Sequence, residues 1–130
     1  MSEQLVDGTG SYRWYGRPVF FVSNVQRAIS FYVDELGFTK KWHEADGEGT
    51  VCQVDRGGCE IILCEDADRP DRGRLFLELS REGVDELLGE IQERSVPAET
   101  SWWGYDVLRI EDPDGNQLLV CLENLLPEQA

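Results

Sequence analysis

A single histidine, His43, limits the chemistry open to this chain before any fold is considered. One imidazole cannot supply a two-histidine metal site, and no Ser-His-acid or Cys-His arrangement forms around it. The four cysteines, Cys52, Cys59, Cys64 and Cys121, make no C-x-x-C pair. Three lie in strand-like apolar runs, so they are expected to be reduced and buried, as small hydrophobes. With 26 Asp and Glu against 12 Lys and Arg, paired acids carry no catalytic signal by themselves. Gly57-Gly58 and Gly115 sit in turn contexts, not in a phosphate loop. Charge and aromatic surface remain. A net charge of −14 argues against nucleic acid, whose phosphates need Lys and Arg, and favours capture of a cationic ligand. Aromatic rings hold a planar cation by stacking and cation–π contacts, each worth about 0.5–2 kcal/mol.

These residues need a scaffold, and 130 residues suit one domain, 1–130. No apolar run approaches the roughly 18 residues of a membrane helix, so no membrane partner is expected. Met1 to Gly10 is polar and acidic, without the basic start and apolar stretch of a secretory signal, and the expected compartment is the cytoplasm. Pro18 to Val22 reads as a strand and Ser23-Asn24 as a helix cap. Val25, Ala28, Ile29, Tyr32 and Leu36 recur at helical spacing, with Gly37 placed to end the helix. Strands follow at Phe38–Glu44, Thr50–Val54 and Cys59–Cys64, separated by turn residues. After a charged linker, 66–73, the pattern restarts. Arg74–Leu79 is a strand, Ser80 a cap, and Val84, Leu87, Leu88 and Ile91 form a helical stripe. Three more strands, Pro97–Trp103, Asp106–Ile110 and Gln117–Leu122, complete the unit, the last two joined by the Asp112–Asn116 turn.

The halves align at a nearly constant offset, Val25 with Val84, Val54 with Ile110, and Ile61 with Leu118. This internal repeat predicts an α+β fold of two tandem βαβββ modules, module one 17–65 and module two 74–123. Side by side they would make a curved eight-stranded mixed sheet with a concave ligand face. Open sheet edges and that face point to a homodimer.

Ser23-Asn24-Val25, Ala28, Phe31-Tyr32, Leu36-Gly37-Phe38 and Asp112-Pro113-Asp114-Gly115-Asn116 together resemble the vicinal oxygen chelate superfamily, which includes glyoxalases, dioxygenases and bleomycin resistance proteins. The resemblance covers Pro18 to Glu123 and is closest to the bleomycin-binding resistance proteins. It implies a small acidic dimer that sequesters a cationic glycopeptide without catalysis or cofactor. Superfamily enzymes carry metal ligands at positions that fall here on Arg17, Arg74 and Leu119, with Glu60 the nearest carboxylate to the equivalent first-module position, Ile62. Arg and Leu offer a metal nothing, so no metal is expected. His43 is expected at the surface or a pocket edge. The resemblance also places ligand aromatics at Trp42 and Trp103, with Phe76, Trp102 and Tyr105 as further candidates. Strand alternation sends only one of two neighbours inward. Phe20, Phe21, Phe31 and Phe38 are assigned to the core or a dimer interface. A second family aromatic after Trp42 falls near Gly47, which removes one slice of that stack. The lead-in aromatics Tyr12, Trp14 and Tyr15, if supplied by a partner subunit, would compensate. The alternatives are a superfamily enzyme without the usual metal site, and a sensor or structural dimer.

Overall fold

The computed structural model describes residues 14–69 and 71–128; Tyr12 of the lead-in and Pro70 of the linker lie outside them. The first strand, β1 (Val19–Val22), buries Phe20 and Val22 and turns Val19 and Phe21 to the other face. Asn24 then caps α1 (Val25–Ser30), its side-chain oxygen accepting from the Arg27 N–H at 2.9 Å. The helix runs on as a π-helical turn over Phe31–Glu35, and Gly37, at φ +72°, reverses the chain where an L side chain would be strained. β2 (Thr39–His43), the short turn α2 (Glu44–Gly47), β3 (Val51–Arg56) and β4 (Cys59–Glu65) complete the first module.

The second module repeats the plan with β5 (Arg74–Leu77), α3 (Arg81–Arg94), β6 (Ala98–Trp102), β7 (Asp106–Glu111) and β8 (Gln117–Cys121). Ser80 caps α3, its hydroxyl accepting from the Gly83 N–H at 3.1 Å. Of the predicted stripe, Val84 and Ile91 are buried and Leu87 packs on the core, whereas Leu88 is exposed.

Strand order is the same in both halves, β1-β4-β3-β2 and β5-β8-β7-β6. In each, the first strand runs parallel to the last and the other pairs are antiparallel. Hydrogen bonding closes within each module, so the eight expected strands form two mixed sheets of four, and any shared concavity spans two ladders. One core joins them. Phe20, Val25, Tyr32 and Leu63 of the first half pack in the same cluster as Val84, Leu108, Ile110 and Val120 of the second.

The Asp112–Asn116 turn is one polar joint between the modules; Arg56 of β3, paired with Glu90 of α3 at 2.8 Å, is another. In the turn, the Asp112 carboxylate accepts from the Tyr32 hydroxyl at 3.0 Å, and the Asn116 amide donates to the Phe21 carbonyl at 3.0 Å. Asp114 accepts from the Ser23 N–H at 3.0 Å. Burial pushes the Asp112 carboxyl above the usual aspartate range, against hydrogen bonds from Asn116, Asp114 and Tyr32 that pull it down.

Candidate functional site

Each sheet has one face on the shared core and one face turned away from it. On the second sheet, Leu118 and Val120 belong to the core, so alternation sends Leu119 and Cys121 to the open face. The same holds for Val107 on β7, paired with Cys121, and for Phe76 on β5, paired with Leu119. Val107, Leu119 and Cys121 are nonetheless buried. They form a small apolar floor outside the main core.

Three aromatic rings gather on this face. Phe76 lies 5.6 Å from Trp103 and 5.6 Å from Tyr105, centroid to centroid, with tilts of 35° and 43°. Gly104 makes the arrangement work. At φ +72° it folds the chain so that the Trp103 N–H donates to the Tyr105 carbonyl at 2.9 Å, and both flanking rings reach the same partner. Trp103 and Tyr105 stay 47% and 41% exposed, a surface ready for stacking. Trp102 is left out of the cluster: it is 73% exposed, and strand pairing sets it opposite Asp106.

The first sheet presents a polar counterpart. Regular pairing from Lys40 with Val54 would set Trp42 opposite Cys52, on the core side. A bulge between Lys40 and Trp42 instead places Trp42 opposite Gln53, on the open face. There its indole N–H donates to the Gln53 amide oxygen at 3.0 Å. The Gln53 amide nitrogen donates to Asp55 at 2.8 Å and to Glu60 at 3.0 Å. Glu60 also accepts from the Tyr15 hydroxyl, which raises the Tyr15 pKa, and the Arg17 guanidinium donates to Gln53 while lying 5.3 Å from the Tyr15 ring centre. Tyr15 therefore folds back on its own chain, whereas Trp14 is almost fully exposed.

The candidate residues thus fall into two groups, Trp42 with Glu60 on the first sheet and Phe76, Trp103 and Tyr105 on the second. Sequence reasoning missed Gln53 at the centre of the first group. An uncharged polar residue between the core positions Cys52 and Val54 was the available signal.

A metal does not fit the positions matched to metal ligands. Arg17 is engaged with Gln53, Arg74 is an exposed cation at the start of β5, and Leu119 is a buried hydrocarbon. Among the described residues, no group of three or more His, Cys, Asp or Glu is arranged to hold an ion. His43 pairs with Cys52 and sits half-buried on the core side, away from the aromatic faces, with Nε2 2.8 Å from the Gly49 carbonyl. All four cysteines are free; Cys52 and Cys121 are buried, Cys59 and Cys64 half-buried. A cavity of about 450 Å³ lies between the modules, lined by Phe38, Cys59, Leu77, Leu87, Ile110 and Val120. Arg56, Glu78 and Glu86 also line its wall, and no residue of either aromatic group does.

Known proteins share this plan. The family model for the Glyoxalase/Bleomycin resistance protein/Dioxygenase superfamily matches residues 14–120. A bleomycin resistance protein of Geobacillus stearothermophilus is 26% identical over 117 aligned positions, covering 76% of this chain and 89% of that protein. The bleomycin-binding protein of Streptomyces verticillus, solved with copper(II)-bleomycin, superposes with a TM-score of 0.66 at 18% identity, over 86% of this chain and 98% of that one. A lactoylglutathione lyase of Agrobacterium tumefaciens superposes with a TM-score of 0.62 at 18% identity, over 82% and 92%. At such identities the two structures establish a common fold.

Proposed function

We propose that this chain, which belongs to the Glyoxalase/Bleomycin resistance protein/Dioxygenase superfamily, is a non-enzymatic protein that sequesters a bleomycin-type cationic glycopeptide and so confers resistance. The observation that carries the reading is the open aromatic cluster of Phe76, Trp103 and Tyr105 on a chain of net charge −14. Exposed rings over an apolar floor suit a flat heteroaromatic tail, and the acidic field suits its cationic end. Trp42, above Gln53 and Glu60, supplies a second platform. The name borne by the relatives of similar length points the same way.

The two platforms stand on separate sheets, and a homodimer would let the first sheet of one protomer face the second sheet of its partner. Four free thiols suit the reducing cytoplasm, the proposed compartment. An enzymatic reading draws on the lyase of the same fold, but it would need a reacting group that the expected ligand positions, Arg17, Arg74 and Leu119, do not provide. Incubation with metal-free bleomycin, followed by chromatography of the released drug, separates the two. Recovery of unchanged drug in a stoichiometric complex supports sequestration, and a chemically altered drug contradicts it.

A further inference from the structure

We propose that Gln53 is the positioning residue of the first-sheet platform, locking the Trp42 indole into the one orientation from which it stacks on ligand. The inference rests on the sequestration reading and adds the residue on which it depends. Gln53 is 2% exposed although it faces away from the main core. A primary amide has two acceptor lone pairs and two donor hydrogens, and here all four are used. The oxygen meets two groups that can only donate, the Trp42 indole and the Arg17 guanidinium. The nitrogen meets two groups that accept, the Asp55 and Glu60 carboxylates.

Rotating the amide by half a turn would set its NH2 against two donors and its oxygen against two carboxylates. One orientation is therefore strongly selected, and the indole N–H is held by an acceptor that cannot turn away. Trp42 needs such a hold. It lies on β2, the edge strand of its sheet, directly after a bulge, and is 38% exposed. Without the Gln53 oxygen the ring would sample several rotamers, and a ligand stacking on it would have to order it first.

The test combines Gln53→Met, which keeps the side-chain length and removes the hydrogen bonds, with Trp42→Phe and the double variant. Each chain is labelled with 5-fluorotryptophan, and the Trp42 fluorine signal is assigned by its loss in Trp42→Phe. In Gln53→Met the Trp42 signal should move to a motionally averaged position while those of Trp102 and Trp103 stay in place, which also reports an intact fold. Affinity for metal-free bleomycin should fall about tenfold in Gln53→Met, and by less than about twofold when the same change is made in Trp42→Phe. Should Gln53→Met not fold, Gln53→Asn withdraws the amide by one methylene, keeps its polarity, and reads the same quantities.

An unmoved Trp42 signal overturns the proposal. An equal affinity loss with and without the indole also overturns it, because Gln53 would then act by some other route. A wild type that takes up no bleomycin overturns the sequestration reading instead. In that case an averaged Trp42 signal in Gln53→Met still upholds the clamp, and a fixed one removes it.

Discussion

Trp103 and Trp102 are neighbours with opposite fates, and the difference sets the sharpest residue-level expectations. Trp103 leans on Phe76 over a buried floor, so Trp103→Ala should speed release of metal-free bleomycin and weaken binding by about 1–3 kcal/mol. Trp42→Ala should act in the same direction but more mildly, because Trp103 shares its face with the Phe76 and Tyr105 rings, whereas Trp42 is held by an amide. Trp102→Ala should leave affinity within about twofold of wild type, since its ring joins neither group. Stopped-flow release measured on the three variants checks the order. A larger effect at Trp102 than at Trp103 would invert the assignment. Sequence alone could name the pair but not choose between them. Alternation gives a period and no phase, and the left-handed Gly104 that sets the phase is a backbone event. The bulge that turns Trp42 outward is likewise silent in residue types. The cysteines give a separate check. Burial pushes the Cys52 and Cys59 thiols up to about 11, so both should be scarcely ionised at pH 8. Iodoacetamide at that pH should modify them far more slowly in the native chain than in urea, and fast native labelling of either would contradict the packing.

Among the elements, the Asp112–Asn116 turn carries more than its residue types announce. From sequence it is a tight turn between two strands; in the fold it is also a joint through which the second module grips the first. Tyr32→Phe removes one of the donors to a buried carboxylate and should cost about 1–3 kcal/mol at neutral pH. The pH dependence has a definite sign. The Tyr32 hydrogen bond favours the ionised Asp112 and lowers its pKa, while burial raises it. Losing that donor raises the folded pKa further, so the cost is full where Asp112 is ionised and shrinks as pH falls through its titration. Urea denaturation of both proteins from pH 7 downward measures this, and a penalty independent of pH would show that the hydroxyl does not serve the carboxylate. Helix caps at Asn24 and Ser80 were legible because Asn and Ser satisfy free N–H groups in a fixed pattern. The π-helical turn at Phe31–Glu35 was not, because its apolar residues suit either helical period over so short a span.

At the scale of the whole molecule, the repeat of two βαβββ units was written in the spacing of apolar residues. Its division into two hydrogen-bonded sheets was not, since spacing counts strands without saying which edges meet. The gap matters for function, because it leaves two open faces on one chain, one built around an amide and carboxylates and the other around rings. A C2 dimer would bring such faces together, and light scattering at micromolar concentration should return twice the 14.8 kDa chain mass. Charge acts on the same scale. With a net charge of −14, raising salt from low to physiological ionic strength should slow association with a cationic glycopeptide more than it speeds release. The central claim, that this chain sequesters a bleomycin-type drug, is tested most directly by calorimetric titration of the wild-type protein with metal-free bleomycin at tens of micromolar. The account predicts saturable heat at one drug per chain and the same drug recovered afterwards. Absence of heat under those conditions, with the protein folded, would contradict it.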